Sequence, residues 1–522
     1  MENFGIGSWL QRRRPKSGSK AALISGDRET SYGELADRSA RLASALRDRG
    51  VTKGDRVAYL GDNHPSFLET LFACGQLGAI FVPLNTRLAP PEIQFQLQDC
   101  GAETLIHAGS LAGLATAGVA GTGVTWRISV DDSAGAAAAP EAAGGQGTTA
   151  AEDFDTVLAS GADQYVDVPV ELDDGALILY TSGTTGRPKG ALLTHGNVTW
   201  NCINVIVDFD FSSQDVALMI SPMFHVASLD MGVLPTLLKG GTVILESRFD
   251  PARILSLIEQ YSVTTMSGVP TTYQLICEHP AWATTDLSSL NKLTCGGSAI
   301  PMRVLDAYES RGLQIGTGYG MTETAPGATV LPASRSRDKA GSAGLPHFFT
   351  DVRIADPIAG IAAPGTVGEI QIKGPNVIRE YWRRPDATAE SYADGGWFKS
   401  GDLAYTDEEG FVFIADRLKD MIISGGENIY PAEVEQAISE LDAVGSVAVI
   451  GVPDEKWGEV PRAVVLLRDG AQLTEAELRT HLEGRLARYK IPKSVVFVDE
   501  MPRTASGKIR KADLRKQSPA QP

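Results

Sequence analysis

Between two apolar runs, Ala176-Leu177-Ile178-Leu179-Tyr180 and Gly190-Ala191-Leu192-Leu193, the chain reads Thr181-Ser182-Gly183-Thr184-Thr185-Gly186-Arg187-Pro188-Lys189-Gly190. Both flanks read as buried strands, so the glycine-rich stretch joins strand to strand. Glycines at 183, 186 and 190 let main-chain N–H groups approach an anion, the hydroxyls of 181, 182, 184 and 185 add donors, and Lys189 adds charge. A triphosphate suits such a loop. The Walker pattern needs its lysine directly after a glycine and a helix beginning at the next Ser or Thr. Here Arg187 and Pro188 separate Gly186 from Lys189 and the downstream run is β-like, which disfavours a P-loop kinase or GTPase.

A chain of 522 residues exceeds one core, so at least two domains are expected. Residues 31–110 alternate an amphipathic helix pattern, Tyr32 to Arg49, with apolar strands such as Arg56 to Leu60, which implies βα units and a parallel sheet. From Gly109 to Glu152 the composition turns to Ala, Gly, Ser and Thr, read as a surface insertion. Strands at 216–220 and 242–245 and a helix at 251–261 imply a second α/β region. After Gly365 the pattern is strand-rich, at 368–372 and 410–414. Beyond Asp416, helices at 431–441 and 474–486 and strands at 444–452 and 462–467 make a small α+β domain. The fold class is therefore α/β: a large N-terminal domain (1–415) of two α/β subdomains and a β-rich one, a hinge at 416–420, a small mobile α+β lid at 421–515 and a tail at 516–522.

A net charge of -17 argues against a broad nucleic-acid surface. The local basic run Arg12-Arg13-Arg14-Pro15-Lys16 reads as solvated charge, leaving room for weak peripheral membrane contact. No stretch is long and apolar enough for an integral membrane segment, and residues 1–10 lack the pattern of a secretory signal, so a cytoplasmic location is expected. Cys74, Cys100, Cys202, Cys277 and Cys295 are scattered without metal-ligand spacing and read as buried thiols.

Further motifs complement the loop. In Ser221-Pro222-Met223-Phe224-His225-Val226-Ala227 a histidine sits at a strand end. In Gly318-Tyr319-Gly320-Met321-Thr322-Glu323-Thr324, Tyr319 can stack on a base, the glycines allow close approach, Thr322 can donate to an α-phosphate and Glu323 can hold Mg2+. Gly296-Gly297-Ser298-Ala299 would form the opposite lip of the base pocket. Asp402 can accept from ribose hydroxyls, Arg417 can bridge ribose and phosphate, and Pro502-Arg503-Thr504-Ala505-Ser506-Gly507-Lys508 ends in a lysine on a glycine-containing turn.

In this order, from Trp9 to Lys511, the motifs resemble the adenylate-forming superfamily, and within it the AMP-forming acyl-CoA synthetases. The string Asp416-Arg417-Leu418-Lys419-Asp420-Met421-Ile422-Ile423-Ser424-Gly425-Gly426-Glu427-Asn428 is similar to the bacterial fatty acyl-CoA ligase group. The resemblance implies ATP-dependent activation of a carboxylic acid to an acyl-adenylate, then transfer to CoA, with ATP, Mg2+, CoA and the acid as partners. It assigns catalysis to Lys508, His225, Glu323 and Thr181, with Glu323 also the metal ligand. Nucleotide binding falls to Ser182, Gly183, Thr184, Thr185, Gly186, Lys189, Gly297, Ser298, Ala299, Gly318, Tyr319, Gly320, Met321, Thr322, Asp402 and Arg417. Lys419 takes the hinge position, Gly425 and Gly426 the CoA path, and His225, Val226, Met321 and Pro326 the acid pocket.

Val226, Ala227, Met321, Ala325, Pro326 and Gly327 surround that pocket without an arginine to pair a second carboxylate, which favours an apolar monocarboxylic acid, aliphatic over aryl. Relative to plant coumarate ligases, Thr317 replaces a glutamine and Ile423 a lysine. The alternative class keeps adenylation without CoA: carrier-protein loading, oxidation of the adenylate, or activation of an oxyacid such as nitrite for N–N bond formation. A non-enzymatic nucleotide-binding regulator is a third class, disfavoured because binding alone does not need both Glu323 and Lys508.

Overall fold

A computed structural model of the chain describes residues 2–132, 150–181, 188–296, 300–356, 360–417, 420–424, 427–454, 457–483, 485–504 and 508–517. Among them four sheets form. In the eight-stranded sheet, Gly175–Thr181 runs parallel to Ile80–Leu84, which continues in parallel through Arg56–Leu60, Thr104–Ala108 and Trp126–Val130. On the other side of Gly175–Thr181 lies antiparallel Lys189–Thr194, then Glu380–Tyr381. The nine-stranded sheet is parallel from Ala21–Ser25 through Thr242–Leu245, Val216–Met219, Thr265–Gly268 and Lys292–Gly296 to Ile315–Gly320, where antiparallel Gly327–Leu331 takes over.

A six-stranded antiparallel sheet is built around Asp351–Asp356, Gly368–Lys373, Trp397–Thr406 and Val412–Arg417. A five-stranded sheet centred on Val444–Asp454 and Gly458–Leu467 carries the helices Pro431–Ser439 and Glu475–Leu482. The α/β class holds, as does the division into a large N-terminal and a small C-terminal part.

Local chemistry explains the elements. Helix Tyr32–Asp48 starts at a capping box, with Ser31 and Glu34 each satisfying the other's main-chain N–H. Helix Pro65–Leu77 begins with proline in its first turn and ends at Gly78 in the left-handed region, φ 68°. Leu177, Ile178 and Leu193 are fully buried, so the two strands flanking the phosphate loop read correctly as core.

The structure corrects three expectations. Residues 109–132 belong to the fold: Ala112–Gly118 is helical and Trp126–Val130 pairs in parallel with Thr104–Ala108. Alanine there builds a helix of the fold, not a surface insertion; residues 133–149 lie outside the described residues. The basic run is exposed at Arg12, Arg14 and Lys16, as expected, but it is built into the fold as well. It forms helix Trp9–Ser17, where Arg12 donates to the Ser8 hydroxyl, Arg13 Nε to the Leu238 carbonyl at 2.7 Å, and Arg14 pairs with Asp37. The helix expected over 474–486 stops at Leu482, with Glu483 already extended; Gly484 follows, a poor helix former. No helix among the described residues is long and apolar enough to cross a membrane, and all five cysteines are free thiols, Cys277 half-buried and the others buried.

Candidate active site

In open α/β sheets ligands gather beyond the carboxyl ends of the parallel strands. Here Ile80–Leu84, Gly175–Thr181, Val216–Met219 and Ile315–Gly320 deliver, respectively, Arg87, the phosphate loop, the segment with His225, and the turn with Glu323. Side chains join these segments. Thr181, at the end of its strand, donates from Oγ1 to Glu323 Oε1 at 3.3 Å. Tyr381 donates its hydroxyl to the same oxygen at 2.9 Å. Lys189 places its Nζ 5.3 Å from the centre of the Tyr381 ring. Thr181 and Tyr381 therefore meet at one oxygen of the metal candidate Glu323, and Lys189, at the other end of the glycine-rich loop, lies against the same tyrosine.

The turn after Ile315–Gly320 is tightly determined. A Cβ at Gly320 would lie 1.6 Å from the Pro326 carbonyl oxygen, so only glycine fits. That oxygen accepts from the Met321 N–H at 3.1 Å and the Thr324 hydroxyl at 2.5 Å. Asn376 fixes the turn from outside, donating to the Thr324 and Gly327 carbonyls at 2.7 and 2.6 Å. Gly318 and Tyr319 share the strand with Gly320, Thr322 opens the 3-10 turn Thr322–Thr324, and the Tyr319 hydroxyl donates to Asp402 Oδ2 at 2.6 Å. Asp402 and Arg417 are Cα partners in the adjoining antiparallel ladder. Tyr319 and Asp402, candidates for base and ribose, are thus joined directly, with Arg417 opposite Asp402 in the ladder.

His225 caps the short helix Val226–Ser228, with Val226 buried behind it. Burial, then the positive charges of Lys508 and Arg87, lower its pKa to about 4, which leaves the imidazole neutral at neutral pH. Lys508, near the end of the small C-terminal part, therefore lies within electrostatic reach of the N-terminal histidine. Its turn is closed by hydrogen bonds to Thr504, from the Lys508 N–H to Oγ1 at 3.1 Å and from the Thr504 N–H to the Lys508 carbonyl at 2.7 Å.

Ser182, Gly183, Thr184, Thr185, Gly186, Gly297, Ser298, Ala299, Lys419, Gly425 and Gly426 lie outside the described residues. Glu323 fits the Mg2+ that accompanies a nucleotide: a hard carboxylate beside hydroxyls suffices when phosphate oxygens and waters complete the shell.

Three residues of the site escaped the sequence reading. Tyr381 belongs to a two-residue strand too short to show a period. Arg87 follows an apolar strand in Asn85-Thr86-Arg87, and brings to the His225 neighbourhood the arginine that the pocket residues lacked. Asn63 donates to the Ser221 and Glu246 carbonyls, each at 3.0 Å, and accepts from the Met223 N–H at 2.8 Å, which holds the His225 segment against a distant loop. A strand-end Gly-Asp-Asn could have flagged a turn, but nothing local names its partner.

Comparison with known proteins bears on this geometry. The AMP-binding enzyme family matches residues 10–382, and the AMP-binding enzyme C-terminal domain matches residues 433–508. The chain is 52% identical over 516 residues to a feruloyl-CoA synthase of an Amycolatopsis species, covering 99% of each. It is 37% identical over 525 residues to a long-chain-fatty-acid–CoA ligase of Mycobacterium tuberculosis, again covering 99% of each. Among solved structures it is similar to ATP-bound MatB from Rhodopseudomonas palustris, with TM-score 0.88, 32% identity and 99% of each chain covered. It is similar also to the o-succinylbenzoate CoA synthetase of Bacillus subtilis with ATP and magnesium, at TM-score 0.84, 33% identity and 98% of each chain. Likeness of this extent, in sequence and in fold alike, decides between the classes left open above: the chain belongs to the AMP-binding enzyme family and is an AMP-forming acyl-CoA ligase that uses ATP, Mg2+ and CoA.

Proposed function

We propose that the acid this ligase activates is an aryl-bearing monocarboxylic acid, adenylated with Lys508 and Glu323 at the reacting groups. In the first half-reaction the carboxylate oxygen bonds to the α-phosphorus of ATP and pyrophosphate leaves; in the second the CoA thiolate attacks the acyl carbon and AMP leaves. Adenylation turns a poor leaving group into a good one, and cationic groups offset charge developing on the phosphate oxygens. Mg2+ held at Glu323 supplies part of that charge when bound.

The remaining roles belong to the chain. Thr181, Ser182, Gly183, Thr184, Thr185, Gly186 and Lys189 cradle the β- and γ-phosphates. Tyr319 with Gly297, Ser298 and Ala299 holds the base, and Asp402 and Arg417 hold the ribose. Neutral His225 borders the acid carboxylate with Met321 and Pro326. Lys508 serves adenylation, and rotation of residues 421–515 about a 416–420 hinge at Lys419 brings Gly425 and Gly426 to the CoA path.

The observation that carries the reading of Lys508 is its charge acting on His225 from the other part of the molecule. The aryl preference draws on the 52% relative, named for ferulate, and replaces the aliphatic expectation. The 37% relative, named for long-chain fatty acids, together with the buried Leu229, Val233 and Ala325, favours the aliphatic acid as second reading. Mass spectrometric detection of thioester and AMP over ferulate, octanoate and palmitate, with and without CoA, tests the choice. Thioester from ferulate with kcat/KM at least tenfold above either fatty acid is expected; equal or better use of the fatty acids would reject the aryl reading. Lys508→Ala should cut acid-dependent pyrophosphate release about a hundredfold, and near-wild-type release would reject its role.

A further inference from the structure

Asp99 stands where a helix disfavours an acid. It lies in the last turn of helix Pro90–Cys100, against the negative end of the helix dipole, and its side chain is only 9% exposed. The groups that offset this cost come from two distant segments. Tyr180 donates its hydroxyl to Asp99 Oδ2 at 2.9 Å, with the Gln96 carbonyl as a second acceptor at 3.1 Å, and the Arg384 guanidinium pairs with Asp99 Oδ1. The Asp99 main-chain carbonyl accepts from the Trp382 indole N–H at 3.2 Å.

These partners adjoin the site on both sides. Tyr180 directly precedes Thr181 and faces Gly190 in the ladder, as Thr181 faces Lys189. The Trp382 N–H donates to the Gly190 carbonyl at 2.8 Å, so this residue meets Asp99 with its ring and the strand after the phosphate loop with its backbone. The Arg384 N–H donates to the Tyr381 carbonyl at 3.1 Å and closes a turn in which Arg383 is held at φ 52°, a left-handed conformation that residues other than glycine disfavour. Such strain persists where the surroundings over-determine the backbone, and the Asp99–Arg384 pair supplies one restraint. Thr181 and Tyr381 are in turn the two hydroxyls that donate to Glu323 Oε1. A single carboxylate thus binds the segments that carry both donors.

We propose that Asp99 is a positioning residue for adenylation: through Tyr180 and Arg384 it sets where Thr181 and Tyr381 stand, and so keeps Glu323 aimed at the divalent cation that arrives with ATP. The inference rests on the reading of Glu323 given above. Groups that orient a metal ligand typically carry about 10- to 100-fold in metal affinity or activity. Asp99 acts one step further out and Tyr180 keeps the Gln96 carbonyl as an acceptor, so the expectation is the lower end, about tenfold.

The test uses Asp99→Ala with two kinds of readout. Acid-dependent pyrophosphate release should fall about tenfold, while thioester formation from preformed acyl-adenylate stays within about twofold of wild type. Binding of Mn2+ in the presence of a non-hydrolysable ATP analogue, followed by EPR without turnover, should weaken at least about threefold. In a Tyr381→Phe background the same substitution should cost less than about threefold further, because its route to Glu323 is already cut. Tyr180→Phe removes one of the bonds while leaving Arg384 paired; it should move all the readouts in the same direction, and it serves if the alanine variant does not fold. Unchanged Mn2+ affinity, equal loss in both half-reactions, or full additivity with Tyr381→Phe overturns the proposal and makes Asp99 a support of the fold alone. Glu323→Gln separates the two readings. If it weakens Mn2+ binding where Asp99→Ala does not, only the role of Asp99 falls; if it leaves Mn2+ binding and adenylation near wild type, both fall together.

Discussion

Replacing Tyr381 by Phe removes one hydroxyl while keeping the ring that lies 5.3 Å from Lys189 Nζ. That hydroxyl donates to Glu323 Oε1 at 2.9 Å, and burial, reinforced by the Glu323 charge, raises the phenol pKa so that it stays a donor at every working pH. A hydrogen bond to a charged group contributes about 1.5–3 kcal/mol, which corresponds to about 10- to 150-fold at 1.36 kcal/mol per decade. Thr181 still donates to the same oxygen at 3.3 Å, long for a hydroxyl donor, and so compensates in part. The expected loss in adenylation is therefore in the lower part of that range, about 10- to 40-fold. Acid-dependent pyrophosphate release over a Mg2+ titration measures it, and the half-saturating Mg2+ concentration should rise. Thioester formation from preformed acyl-adenylate should stay within about twofold of wild type if, as proposed, Glu323 serves only the first half-reaction. A loss of less than threefold in adenylation, or an equal loss in both halves, would refute the reasoning.

The His225 imidazole should titrate near pH 4 by NMR and shift upward in Lys508→Ala, since one of its two cationic neighbours is removed; an unmoved value would contradict the proximity of Lys508. Lys292→Met strands Asp215, whose side chain is 4% exposed, and should cost about 3 kcal/mol in urea unfolding at pH 7. Burial raises the Asp215 pKa, but hydrogen bonds from Lys292, the Ser212 N–H and Thr264 outweigh it and hold the folded value low. The stability gained is present above the unfolded carboxylate value of about 3.9 and lost as pH falls through the lower folded one. The gap between wild type and variant should therefore close below about pH 4, and a pH-independent gap would exclude the ion pair as its source. Asn63→Ala removes three hydrogen bonds to the His225 segment and its neighbour, at about 1 kcal/mol each. It should raise KM for the acid more than KM for ATP, and equal rises would argue for general loosening.

Sequence carried what depends on neighbours along the chain. The runs flanking the phosphate loop became Gly175–Thr181 and Lys189–Thr194, because unbroken apolar residues in a buried ladder leave few alternatives. Glu323 and Tyr319 were legible from a glycine-flanked turn whose close contacts exclude larger residues, as Gly320 shows. What stayed hidden depends on contacts far apart in the chain. Tyr381 reaches Glu323 across 58 positions, and Asn63 meets Met223 across 160. Composition misled at residues 109–132, where alanine and glycine looked like a surface insertion although Trp126–Val130 completes a ladder with Thr104–Ala108. The basic run was legible in part: Arg12, Arg14 and Lys16 are exposed as expected, but the Arg13 guanidinium ends on the Leu238 carbonyl, a partner no local pattern reveals.

Thr181 and Lys189, the two ends of the loop proposed to hold the phosphates, lie on antiparallel partner strands, and under that proposal the connection bears on how product leaves. A strand-to-helix loop sets an anion against a fixed helix dipole, equivalent to about half a positive charge that cannot depart. Where a strand follows the loop, that fixed charge is missing. Neutralisation then rests on a lysine side chain and on the cation that arrives with the nucleotide, and both can let go. Pyrophosphate can leave as a metal complex, carrying its own counter-charge into water, so product affinity should follow the free Mg2+ concentration more closely than in an enzyme whose phosphates sit on a helix end.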